Sequence, residues 1–371
     1  MGGSVSMRCS ITGFGRLFQA REKMLAFIML AVIQVSLGTT YKLAAQTGKK
    51  RFAFSTTSAV AIAEILKFCL SSFFIILECL RESRAEAVED ICISDVLHRP
   101  RHAVFAIAMQ AQKLSRAFHR SFSCLSWPVV RNLQVLAFLY AFNNQMSLYH
   151  MVYADPGTAF LFKSGATLLV ALIQRVTLGK TNSDIQWVAL CIQMCGVIVV
   201  QYNPCKQQTV YDPWVYMMLA FSVLITTTCT VWNEYAVKHY QVQLNVQNLV
   251  LYAGGICMNT AAFFYLPNPN SDTPDIGFFD GYDTWAARGV VATNAVIGLA
   301  ITAVYKYADA ITKQLATDTS TVSLMAISIT FFGFPGSIVT WAGVVIVLAA
   351  VHLYLRAQAY VLKDSEGKKT S

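Results

Sequence analysis

The chain has 371 residues, 55% hydrophobic and 13% charged, with a formal net charge of +9 and a mean hydropathy of +0.48. Soluble domains carry about 25% charged residues, so this composition excludes an ordinary water-soluble globule and points to a membrane protein. The positive charge reads as membrane topology and contact with anionic lipid or ligand, with no sign of a nucleic-acid module.

The N-terminal tail, residues 1–23, lacks an apolar core for a cleavable signal peptide, and the run from Met24 is long enough to stay as an anchor. From there to Leu355, apolar windows of ~20 residues recur about ten times, enough for an all-α membrane protein of about ten transmembrane helices. They are expected at 24–45, 56–80, 131–154, 156–177, 184–202, 214–237, 246–266, 285–306, 310–332 and 337–355. Breakers separate them, including Asp155-Pro156, Asn203-Pro204, Asp212-Pro213 and the stretch Gly333 to Gly336. The runs are too long and too little alternating for barrel strands. Residues 24–355 thus form one domain, with a cytosolic C-terminal tail at 356–371.

Within that domain, residues 81–130 form a polar insert. Val104, Ile107, Ala108, Ala111, Leu114 and Phe118 recur at helical spacing with Lys113, Arg116 and Arg120 on other faces. This fits a basic amphipathic helix on the cytosolic leaflet, or a partly disordered insert. Arg8, Arg16, Arg21 and Lys23 precede the first helix, so the positive-inside rule and an even helix count place both termini in the cytosol. Lys49, Lys50 and Arg51 go against that rule. The ten cysteines fall mostly inside helices or on the cytosolic side, which offers no disulfide framework. No metal-ligand spacing and no catalytic cluster appears; His150 and His352 are isolated. The chain is not expected to be an enzyme or to need a cofactor.

Charges inside the helices carry more information, because each costs at least ~2.5–3.5 kcal/mol at mid-bilayer. Glu64 and Lys67 are three apart on one helical face. Lys163, Glu234, Lys306 and Lys313 lie in later windows, with Asp309 between the last two, which are seven apart and expected to share a face. Such groups are ion pairs snorkelling at helix ends, or they await an anionic ligand such as a phosphate. Tyr140, Asn143 and Asn144 fall on adjacent turns, and Asn248 and Tyr252 are four apart. They suit either interhelical packing or the stacking and hydrogen bonding of a flat heterocycle, with Gly254 and Gly255 allowing close approach.

Six stretches in order resemble the nucleotide-sugar transporters of the drug/metabolite transporter superfamily, nearest the group carrying CMP-sialic acid, UDP-galactose and UDP-N-acetylglucosamine. They are FSTTSAVAIAEILKF (54–68), YAFNNQM (140–146), DIQWVALCIQMCGVIVVQ (184–201), NEYAVKHY followed by QNLVLY, GFFDGY (277–282) and KYADAITK (306–313). The resemblance implies two five-helix halves in inverted repeat around a substrate cavity. It further implies an antiporter that exchanges a cytosolic nucleotide sugar for a luminal nucleoside monophosphate. The substrate-binding set it implies is Lys67, Tyr140, Asn143, Asn144, Lys163, Asn248, Tyr252, Lys306 and Lys313, with Glu64, Glu234 and Asp309 structural or gating. Tyr252 and Asn248 would hold the base, and Lys313, with Lys67 or Lys306, the phosphate.

The chain departs from the family pattern early in the fourth helix, where Ala159 and Phe160 stand for a Tyr-Gln pair and Ala166 for a lysine. Lys163 lies one turn earlier, and Gly254 stands where pyrimidine-binding relatives often carry Ser. The C-terminal GKKTS places Lys368 and Lys369 where a cytosolic dilysine signal would engage coat machinery, which fits a Golgi or endoplasmic reticulum membrane protein. A homodimer is compatible with this reading. The competing readings are a carrier of another phosphorylated metabolite and a non-transporting membrane scaffold that recruits glycosylation or trafficking partners.

Overall fold

The computed structural model describes residues 11–46, 52–93, 112–113, 115–153, 162–201, 211–266, 276–331 and 337–370. Ten long helices account for most of them: α1 (Ile11–Gln46), α2 (Thr56–Ile93), α3 (Trp127–Tyr153), α4 (Ala166–Leu178), α5 (Asp184–Gln201), α6 (Pro213–His239), α7 (Leu244–Tyr265), α8 (Trp285–Tyr307), α9 (Ala310–Phe331) and α10 (Ile338–Thr370). A short helix, Ser115–Ser123, meets α3 at a 74° bend.

The helix starts follow local chemistry. Before α5, Ser183 and Gln186 form a capping box: the Gln186 backbone N–H donates to the Ser183 hydroxyl at 3.4 Å, and the Ser183 N–H to Gln186 Oε1 at 2.9 Å. The Thr284 hydroxyl accepts from Ala287 N–H at the start of α8, and Asp309 accepts from Thr312 N–H at the start of α9. Pro213 opens α6 at a position whose N–H would be unpaired anyway. Gly179, with φ 63°, ends α4 in the left-handed conformation that favours glycine.

α1, α2 and α10 run past the apolar windows expected from the sequence. Hydropathy marks where a chain enters hydrocarbon, whereas the Arg, Glu and Lys beyond those windows are good helix formers in water. α4 starts ten residues later than the window at 156–177; residues 154–161 are outside the described ones and Gly165 is a turn.

Among the described residues, five helices are long and apolar enough to cross a membrane: α1, α2, α6, α8 and α10. The others are short or carry polar side chains. α3 holds Asn143, Asn144 and Gln145, α7 holds Asn248 and Asn259, and α9 holds Lys313 and Asp318. These same helices wall the cavity described below, so their lower hydropathy reflects what they face.

α5 packs on α10 and α2 on α7. α1 lies against α8 and α9, and α6 against α3 and α4. α2 also touches α8, as α7 touches α3, while α9 adjoins α10, and α4 adjoins α5 and α9. Leu30, Val304, Leu315, Val347 and Tyr354 anchor the largest apolar core. The α5–α10 seam is close: a methyl at Gly196 would lie 2.8 Å from side-chain carbons of Ile346 and Val347, and one at Gly343 would lie 2.6 Å from the backbone nitrogen of Val200.

Val104, Ile107, Ala108, Ala111 and Leu114 of the expected amphipathic helix lie outside the described residues. The part that is described tucks Ala117, Phe122 and Leu125 against Ile75 and Cys79 of α2 and Val246 of α7. At the far end, the α7–α8 connector folds onto the start of α2. The Tyr282 hydroxyl lies 2.8 Å from that of Ser58, its ring stacks on Phe54 at 5.2 Å, and Gly281, at φ 80°, sits against Ala53. Cys69, Cys79, Cys124, Cys191, Cys195, Cys229 and Cys257 are free thiols.

Candidate functional site

Two adjoining cavities open inside the bundle. The larger, about 1050 Å³ of empty space, is walled mainly by α2, α3, α7 and α8; the second, about 860 Å³, lies among α3, α4, α6 and α9. Asn143 and Lys313 line both, which makes them the junction.

In the larger cavity, Lys67 and Glu64 form the i,i+3 pair read from the sequence, at 2.5 Å, with side chains only 13% and 12% exposed. Glycines make room for it. A Cβ at Gly255 on α7 would lie 3.0 Å from Glu64 Oε2, and one at Gly298 on α8 would meet the Lys67 stem. So placed, Lys67 Nζ stands 5.1 Å from the centre of the Tyr252 ring, a cation–π distance.

Polar groups from other helices complete the wall. The Tyr140 hydroxyl donates to Cys229 C=O at 3.3 Å and accepts from Asn233 at 3.1 Å. Asn143 Oδ1 accepts from Ser222 and Thr226 at 3.2 and 2.8 Å, which leaves its amide nitrogen as a donor toward the cavities. Asn144 lines the larger cavity, while Asn248 sits behind it and donates to Thr302, a lining residue, at 3.1 Å. Among the described residues the Lys313 ammonium makes no hydrogen bond or ion pair, and it stands where the cavities meet.

Lys306 is elsewhere. α8 ends at Tyr307 and α9 begins at Ala310, so the helix is broken between Lys306 and Lys313 and the shared face expected from their spacing does not form. Lys306 is exposed, with Nζ 5.5 Å from the Tyr307 ring centre, and lines neither of these cavities.

Glu234 is fully buried at the end of the bundle that carries the α4–α5, α6–α7 and α8–α9 turns. Lys180, Gln174 and Lys238 all donate to its carboxylate, as does the Ala310 backbone N–H at 3.0 Å. Lys238 also donates to Ala308 C=O at 2.5 Å. Nearby, Asp309 Oδ2 accepts from Gln358 of α10 at 3.3 Å. One carboxylate thus ties α4, its connector to α5, α6 and the α8–α9 junction together.

A model of nucleotide-sugar transporters matches residues 103–355, more than half of the chain. The chain belongs to the nucleotide-sugar transporter family. That family is one of membrane transporters. The chain is 28% identical over 222 residues to CMP-sialic acid transporter 2 of Oryza sativa subsp. indica, a match covering 59% of this chain and 61% of the relative. It is 27% identical over 270 residues to CMP-sialic acid transporter 3 of the same plant (69% and 66%), and 27% over 229 residues to CMP-sialic acid transporter 4 of Arabidopsis thaliana (61% and 64%). The matches span less than two thirds of these relatives' own length. One solved crystal structure superposes on 90% of this chain and 97% of its own with a TM-score of 0.57 at 14% identity, which shows a shared fold.

In this nucleotide-sugar transporter family member, Ala166 is the buried first residue of α4, while Lys163, one turn earlier, lines the second cavity. Ala159 and Phe160 lie outside the described residues. Sequence reasoning did not find the setting of Asp318. Its Oδ2 accepts from Thr167 of α4 at 2.6 Å and from Gln193 of α5 at 2.5 Å. A carboxylate in the middle of an apolar helix was the available signal, but its partners come from helices over a hundred residues away.

Proposed function

We propose that the chain is an antiporter of the Golgi or endoplasmic reticulum membrane that exchanges a cytosolic UDP- or CMP-linked sugar for a luminal nucleoside monophosphate. In this reading all ten helices span, as two inverted five-helix halves with both termini cytosolic. The packing supports the repeat, because advancing each helix by five reproduces most of the pairs, although α6 on α8 has no counterpart of like extent. α1 on α8 is matched by α6 on α3, and α1 on α9 by α6 on α4; α2 on α8 is matched by α7 on α3. The pairs α2–α7, α4–α9 and α5–α10 map onto themselves.

The observation that carries the proposal is that Lys67 from one half and Lys313 from the other line a single cavity, together with Tyr252. The base stacks on Tyr252, with Asn248 positioning the wall through Thr302, and Tyr140, Asn143 and Asn144 supply polar contacts. The phosphate meets Lys313 and the Lys67 ammonium through charge-assisted hydrogen bonds. Lys163 extends the cationic lining. Lys306, exposed near the cytosolic end, acts in attracting the anionic substrate to the entrance.

Transport follows by alternating access, one half rocking against the other about this site. Glu234 and Asp309 hold the cytosolic ends of the helices together, so the proposed topology makes this a cytosol-closed arrangement. Glu64 neutralises Lys67, whereas among the described residues neither the Lys313 nor the Lys163 ammonium has an ion-pair partner, and Lys313, at the junction, is the charge placed to meet the phosphate. Bound phosphate pairs it and favours the occluded state. Lys368 and Lys369 supply the retrieval signal to the coat machinery.

The test is a thermal-shift panel of purified protein against UMP, CMP and GMP, followed by counterflow in proteoliposomes. Stabilisation by one of them at micromolar levels, with uptake of its nucleotide sugar only into preloaded vesicles, is expected. No response to any monophosphate and no uptake would leave the scaffold reading.

A further inference from the structure

We infer that the second cavity is the sugar subsite and that Asp318 makes it selective for a neutral, hydroxyl-bearing sugar over an acidic one. This rests on the exchange proposed above. A ligand whose base lies against Tyr252 and whose phosphate meets Lys313 reaches the junction of the two cavities, since Asn143 and Lys313 line both. Whatever is linked beyond the phosphate then enters the second cavity.

Hydroxyls and a carboxylate share the wall of that cavity with Phe162, Val197, Leu219 and Val223. Ser222, Thr226, Thr317 and Thr321 contribute to its wall, and Asp318, only 6% exposed, lies among them. The Thr167 hydroxyl and the Gln193 amide both converge on Asp318 Oδ2, whereas Oδ1 has the Gln314 amide at 3.5 Å, the limit of a hydrogen bond. Oδ1 therefore keeps acceptor capacity. Sugar hydroxyls are donors that match it. An ionised sugar carboxylate has no proton to donate and brings a like charge into a site of low dielectric, where repulsion is strong. Two cations line the same cavity: Lys313, at its junction with the larger one, is taken up by the ligand's phosphate, and Lys163 is an exposed side chain, so the charge left facing the sugar from the buried wall is that of Asp318.

The experiment uses the full chain in detergent and a matched pair of nucleotide sugars on whichever base the monophosphate panel selects. The two differ only in whether hexose C6 is a hydroxymethyl group or a carboxylate; for uridine they are UDP-glucose and UDP-glucuronate. The neutral member is expected to compete with bound monophosphate at least tenfold better, and Asp318→Asn to bring the ratio close to one by improving the acidic member. Equal affinities in the unsubstituted protein, which need no variant to fold, would overturn the assignment, and a preference for the acidic sugar would hand control of the cavity to Lys163. If no monophosphate binds at all, the exchange reading itself fails and takes the subsite with it.

Discussion

The Lys67 side chain lies flat against Gly298, so that a Cβ there would be 2.5 Å from its Cδ. The glycine on α8 is what lets a lysine from α2 reach the Tyr252 ring while still bonded to Glu64. Gly298→Ala is expected to cost about 1–3 kcal/mol by overpacking, or to be relieved by moving Lys67. Either way, affinity for the stabilising monophosphate should fall about tenfold, a loss of about 1.4 kcal/mol, measurable by titrated thermal shift. Undiminished affinity would show that Lys67 does not reach the ligand.

Lys313→Ala removes a charge-assisted hydrogen bond worth about 1.5–3 kcal/mol, which weakens monophosphate binding by roughly 10- to 150-fold. It also removes a charge that penalises the empty carrier. Uptake into vesicles without internal monophosphate should become measurable relative to the unsubstituted protein. A variant that stays strictly dependent on internal monophosphate would sink this account of the coupling.

Glu234→Gln keeps the shape but loses the charge that gathers Lys180 and Lys238. Solvent screens those lysines, which are 39% and 31% exposed, but Glu234 is fully buried and an amide N–H there would face two of its four donors, so the stability loss is expected to be about 1–3 kcal/mol. The helix ends it ties should part more readily. Cys229, wholly buried beside the cavity, is the reporter. In a variant with the other cysteines replaced, its labelling by an impermeant maleimide from the face bearing the termini should rise several-fold.

The α7–α8 connector makes a separate prediction. Gly281 combines a positive φ with contact against the Ala53 backbone, so Gly281→Ala is expected to destabilise by about 1–3 kcal/mol or more. Tyr282→Phe deletes the hydroxyl's contacts to Ser58 and to the Ser55 carbonyl and should cost about 1 kcal/mol. Thermal unfolding of the two variants, in that order of severity, checks both.

Spacing along one helix showed what one helix decides. The Glu64–Lys67 pair, the apolar windows and the polar faces of α3 and α7 were legible because residues three or four apart share a face. The Lys306–Lys313 face failed because the chain breaks at Ala308, where no proline or glycine marks the end. Asp318 with Gln193, Glu234 with Lys180 and Lys67 with Gly298 were not legible either. Each joins segments 54 to 231 positions apart, and periodicity within one segment carries no trace of what another brings against it.

The seam between α5 and α10 runs behind the second cavity, which Val197 lines, and its backbones meet through Gly196 and Gly343 with no space for a methyl. A junction that close resists sliding, since either chain would have to climb over Val200 or Val347. It can still turn. For a carrier whose halves swing as proposed, the seam serves as an axle, and a methyl added at Gly343, on the α10 side, would act on turnover through its contact with Val200.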